Sequence, residues 1–150
     1  MDALTHAVEA YIGRSTTKET RRLALLAVKQ IFSNIEKAYI DGKNHNARKS
    51  MLQASYYAGI AFSKSYVGYI HAIAHSLGGQ YGIPHGLANA VIMPHMLEAY
   101  GKSVHKKLYK LALNAGICNE SDSYEIGAKK FIDNFIVAKT FVISLSASPR

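Results

Sequence analysis

Cysteine is nearly absent from this chain: Cys118 stands alone, which excludes an internal disulfide and any thiolate-rich zinc site and fits a reducing compartment. There are three prolines and no low-complexity stretch, so nothing in the composition marks disorder. No apolar run approaches the roughly 20 residues needed to cross a bilayer. No charged segment precedes an apolar one at the start, as a secretory leader would require, so the chain reads as cytoplasmic with no membrane partner. Also missing are a G-x-G-x-x-G run, an alternation of strand and helix patterns, a repeat of fixed period and a Gly/Ser/Pro linker. A dinucleotide site and a second domain are therefore not expected.

What is present is globular. Hydrophobic residues make up 49% of the 150 positions and charged residues 19%. A chain of this length buries roughly two-thirds of its unfolded surface, enough for one domain with a core. The net charge is +8, yet the basic residues fall in small groups such as Arg21 and Arg22, or Lys102, Lys106, Lys107 and Lys110. Their segments have apolar opposite faces, the pattern of solvated helix surfaces, and nucleic-acid binding is not expected.

Helical periodicity dominates and predicts an all-α, bundle-like fold. A first helix covers Met1 to about Ile12 and ends at Gly13. Thr16 and Glu19 form an S/T-x-x-E start for a second, whose stripe of Ala24, Ala27, Val28, Ile31 and Ile35 faces a core until Asp41-Gly42. A third runs from about Asn46 to Phe62 with a small-residue face of Met51, Ala54, Ser55, Ala58 and Gly59. After a break at Ser63 to Gly68, a fourth carries His71 and His75 and is closed by Gly78-Gly79. The loop Gly82 to Gly86 holds His85 and leads into a fifth, Leu87 to Tyr100. Further helices cover Ser103 to Asn114 and Asp122 to about Phe135.

Seven histidines stand out. Asp2 and His6 are four residues apart, as are His71 and His75, and on a helix this puts each pair on one face, roughly 6 Å between β-carbons. His85 follows His71 by fourteen residues across a turn that can bring its ring back to the same point. Imidazole and carboxylate donors suit ferrous iron or zinc better than magnesium or calcium. Spacing alone leaves the plainer reading open, because single histidines are commonly packed or surface residues and an acidic residue at a helix start suits the dipole. His45, His95 and His105 belong to that plainer class.

Longer runs extend the argument. Met1-Asp2-Ala3-Leu4-Thr5-His6-Ala7-Val8-Glu9-Ala10-Tyr11 and Gly68-Tyr69-Ile70-His71-Ala72-Ile73-Ala74-His75-Ser76-Leu77-Gly78-Gly79, the latter continuing through Pro84-His85-Gly86-Leu87-Ala88-Asn89-Ala90, resemble two signatures of the iron-containing (group III) alcohol dehydrogenase family, at the separation that family shows. Asp41-Gly42, Ala47-Arg48, Met51, Ala54-Ser55, Ala58-Gly59 and Ala61-Phe62-Ser63 also match, so the resemblance covers roughly residues 1 to 115. It implies the helical C-terminal domain of the dehydroquinate synthase-like fold, without the Rossmann-like N-terminal domain. It further implies metal ligation by Asp2, His6, His71 and His85 and a proton-relay or orienting role for His75. The implied cofactors are Fe2+ or Zn2+, with NAD(P) held by the other half. The implied reaction interconverts a primary alcohol or diol and an aldehyde, the metal polarising the oxygen while hydride passes to the nicotinamide.

Both ends depart from the family pattern. The chain opens on the metal motif, so Asp2 is exposed to fraying. At the other end, Phe135 to Arg150 turns apolar and β-branched, and residues 135–150 are expected to be an atypical tail beyond a helical metal-binding domain of residues 1–134, either truncated or frame-shifted, or else a divergent last helix or a strand-like arm. By itself the chain is expected to be inactive, needing a separate cofactor-binding domain or a homo-oligomer. The rival reading is a non-enzymatic helical interaction module or a degenerate gene fragment.

Overall fold

The structure, a computed structural model, describes residues 1–146. Seven helices follow one another: α1 (Asp2–Ile12), α2 (Lys18–Ile40), α3 (His45–Ser65), α4 (Tyr69–Tyr81), α5 (His85–Tyr100), α6 (Lys102–Asn114) and α7 (Tyr124–Ser146). No strand occurs among the described residues, in line with the all-α expectation.

The shortest of these helices organises the rest. α1 packs against α2, α3, α5 and α6, and its Leu4, Ala7, Val8 and Ala10 are wholly buried. Alanines at two of these positions let neighbours approach closely, and α3 answers with Ala54, Ala58 and Ala61, also fully buried. Ser55, expected on that face, points to solvent, and the buried line runs on to Ala61 because a 3.6-residue period carries it there. α2 buries the stripe read from its sequence, Ala24, Ala27, Val28, Ile31 and Ile35. α4 pairs with α5, and α6 with α7.

Several boundaries differ from those read from the sequence. The start of α2 lies one residue later than the Thr16/Glu19 signature: Thr17 is the N-cap and exchanges hydrogen bonds with Thr20, its hydroxyl accepting from the Thr20 amide at 3.2 Å. Glu19 falls one residue short of the N3 position that Thr20 fills, and it pairs instead with Lys64 of α3 at 3.0 Å. Replacing Thr17 with alanine is expected to cost about 1 kcal/mol, read as a lower urea midpoint. An unchanged midpoint would show that the cap carries no net stability.

Glycines 78 and 79 do not stop α4, which continues to Tyr81 and ends at Gly82 with φ +66°, a left-handed conformation that suits glycine. α3 runs to Ser65, beyond the expected break. It turns at Tyr66, whose φ of +65° and ψ of 171° fall in a region open almost only to glycine.

The last helix, expected to end near Phe135, reaches Ser146 without interruption, so no break in the backbone separates 134 from 135. Of the two conformations open to this segment, a divergent last helix or a strand-like arm, the described part takes the helix, and Phe135 and Ala138 are buried because they continue the i, i+4, i+7 stripe begun by Phe131. Burial on a helical stripe outweighs the β-branched local preference of Val137, Val142 and Ile143. The remainder of the expected tail, 147–150, lies outside the described residues.

Candidate metal centre

The first turn of α1 sets Asp2 and His6 on one face, His6 Nδ1 lying 3.6 Å from Asp2 Oδ2. α4 brings His71 over the same point, with Nε2 at 3.8 Å from Asp2 Oδ1, and α5 brings His85, with Nε2 at 3.4 Å from that oxygen. His85, expected in a loop, is the first residue of α5, where the helical backbone holds it. One donor atom from each of the four residues lies within 4.8 Å of all the others. The rings crowd: His6 stacks on His71 at 4.2 Å between centroids and on Phe62 at 4.1 Å, and His71 lies 5.3 Å from His85.

His75 stands beside this group and not within it. It is exposed, stacked on His85 at 5.0 Å and edge-on to His71 at 6.0 Å. His45, His95 and His105 take no part in the group.

Two residues that sequence reasoning passed over belong to the site. The buried Asn89 donates from Nδ2 to Asp2 Oδ1 at 2.7 Å and lies 3.0 Å from His85 Nε2, one turn along α5. The buried Glu9 accepts from His71 Nδ1 at 2.6 Å. Their spacing was the available signal: Glu9 falls seven residues after Asp2 and Asn89 four after His85, each on the face of a ligand candidate.

The electrostatics follow from this crowding. The His71 ring beside Asp2 is the main influence holding that carboxyl well below the usual carboxylate range, against the opposing effect of burial. Burial pushes the His6 imidazole down, toward the neutral form that can ligate. For His71, burial opposes the charge, but the Asp2 and Glu9 carboxylates prevail and push the ring up to about 9.

The donor set fits a divalent cation of the iron or zinc kind: three imidazoles and one carboxylate, borderline donors in a compact group. A structural observation supports the fit. His71 Nε2 is buried and has no hydrogen-bond partner, and buried polar nitrogens without partners are rare and call for an explanation. A cation among the four residues provides one. A cavity of about 640 Å³ lies elsewhere, against Glu9, Gly68, Tyr100 and Lys107, and contains none of the four donors.

Comparison with known proteins bears on the same residues. The model of the Fe-containing alcohol dehydrogenase family, C-terminal, matches residues 1–138, and the chain belongs to this family. It is 42% identical over 130 residues to alcohol dehydrogenase 4 of Saccharomyces cerevisiae, covering 85% of this chain and 34% of that protein. It is 50% identical over 96 residues to 1,3-propanediol dehydrogenase of Klebsiella pneumoniae, covering 64% of this chain and 25% of the relative. Among solved structures, a 1,3-propanediol oxidoreductase superposes with a TM-score of 0.90 at 36% identity, over 99% of this chain and 40% of the other. An alcohol dehydrogenase from Oenococcus oeni also gives 0.90, at 31% identity over 99% of this chain and 40% of that one. The chain thus spans about a quarter to a third of the length of the curated relatives it matches.

Proposed function

We propose that this chain is the metal-binding helical half of an NAD(P)-dependent alcohol dehydrogenase, and that Asp2, His6, His71 and His85, all within residues 1–134, hold one Fe2+ or Zn2+ ion. The observation that carries this reading is the convergence of four donors within 4.8 Å around a buried, partnerless His71 nitrogen. Bound there, the ion supplies Lewis acidity toward the oxygen of a primary alcohol or diol, or of the corresponding aldehyde.

The chain's own residues do the positioning. Asn89 steadies Asp2, and the Phe62 ring closes one side of His6. His75, exposed at the rim and stacked on His85, is placed to orient substrate or pass a proton to solvent. Ile73, Leu87 and Val91 are exposed apolar side chains on α4 and α5, the two helices that also carry His71 and His85. Covered by a cofactor-binding domain, they would help exclude water from the cleft. The described residues contain no sheet on which a dinucleotide could lie, so we place NAD(P) on that partner. No helix among the described residues is long and apolar enough to cross a membrane, and we assign the chain to the cytoplasm because its single cysteine, Cys118, fits a reducing compartment.

Dialysis of the metal-free chain against Zn2+, or against Fe2+ without oxygen, tests the reading. About one ion per chain is expected, with no alcohol-dependent reduction of NAD+ or NADP+ by the chain alone. A folded chain that takes up no ion overturns the reading and favours the helical interaction module instead.

A further inference from the structure

We propose that Glu9 is the positioning residue of the metal centre, fixing His71 with its proton on Nδ1 so that the Nε2 lone pair faces the other three donors. The proposal rests on the metal reading above and adds a residue that ligates nothing.

Glu9 is almost completely buried, 2% of its side chain being exposed, and it receives three hydrogen bonds from one stretch of chain. The Gly68 amide donates to Oε2 at 2.9 Å, the Ile70 amide to Oε1 at 2.9 Å, and His71 Nδ1 lies 2.6 Å from Oε2. Glu9 accepts from both amides and takes the Nδ1 hydrogen as well, so Nδ1 is occupied and Nε2 is the nitrogen at which a cation can replace a proton. That nitrogen is the buried one without a partner.

The same carboxylate also closes the start of α4. Gly68, the N-cap, offers no side-chain cap, and Glu9 from α1 receives the amides that a capping side chain would otherwise take. The approach is close: a β-carbon on Gly68 would sit 2.7 Å from Glu9 Oε1. Asp2, His6 and Glu9 recur at four and three residues along α1, so one face of one helix supplies two ligands and the group that orients a third. Partners of this kind hold a ligating ring in the productive tautomer and orientation.

Zn2+ binding to the full chain, measured by competition with a chelator, tests this alongside 15N-edited NMR of the Zn2+-loaded histidines. Glu9→Gln preserves size but has one acceptor oxygen for three donors. It is expected to weaken Zn2+ binding about 10- to 100-fold. The His71 Nδ1 proton is expected far downfield and slow to exchange in the parent chain, and further upfield and faster to exchange in the variant. Gly68→Ala leaves every ligand and the Glu9 charge in place but crowds Oε1, so it should act in the same direction, with a double variant showing less than the product of the two effects. If Glu9→Gln does not fold, the same two readouts on Gly68→Ala decide. A folded variant with parental affinity, or a parent in which His71 is protonated on Nε2, overturns the role of Glu9 while leaving the metal site standing. A parent chain that binds no Zn2+ removes the metal reading and this proposal together.

Discussion

Replacing His71 with alanine is expected to abolish stoichiometric metal retention, the largest effect of any single substitution at the centre. His71 is the most deeply buried of the four donors, 1% exposed, whereas Asp2 and His85 keep roughly two-fifths of their side-chain surface, at 38% and 41%. Loss of the buried ligand opens the wall of the site to water and removes the donor that Glu9 orients. Affinity should therefore fall by more than the roughly 10- to 100-fold typical of outer-shell changes. A linked effect is expected in thermal unfolding, because a ligand present at 1,000 times its dissociation constant stabilises the native state by about 4 kcal/mol. Added Zn2+ should raise the melting temperature of the parent chain and leave that of His71→Ala where it was. His45→Ala and His105→Ala serve as controls and should retain one ion per chain. Full metal content in His71→Ala, with the fold intact, would remove His71 from the site.

Phe135→Ala is expected to destabilise the chain by about 3–5 kcal/mol, the range for emptying a fully buried aromatic position. Phe135 has no exposed surface, and neither does Phe131 one turn before it, which meets Phe32 of α2 edge-on at 5.6 Å between centroids. α7 packs on α6, α2 and α5, so a cavity at Phe135 lies where several helices meet and cannot collapse by moving one of them. Urea unfolding followed by circular dichroism reads the change, and Val137→Ala, at a position 61% exposed on the same helix, should shift the midpoint little. Equal effects for the two substitutions would mean that this part of α7 does not pack as described.

These two residues also differ in how much of their placement the sequence carries. His71 was legible because its histidine lies in a long motif and its spacing to His75 and His85 limits where the ring can go. Phe135 was not, because Phe-Ile-Val-Ala-Lys-Thr-Phe-Val-Ile carries apolar residues at nearly every position. Such a run shows neither a period of two nor one of 3.6, and only packing against α6 and α2 selects the helix. A similar ambiguity moved the end of α4 from Gly78-Gly79 to Gly82: a glycine stops a helix where the backbone turns left-handed, and identity alone does not say which glycine turns.

Glu9 and Asn89 illustrate the deeper limit. Each stood in plain view at helical spacing from a ligand candidate, yet a carboxylate on a helix is usually solvated, and nothing local distinguishes this one. The residues it joins are 59 to 62 positions away, so its burial depends on the angle at which α4 crosses α1. Helix existence and core stripes are written in the chain, since a helix repeats every few residues and the apolar pattern repeats with it. Which nitrogen faces the other donors, and which carboxylate accepts from the nitrogen opposite, is a property of distant helices brought into contact. No local pattern encodes that contact, because its geometry is the sum of all the side chains packed between them.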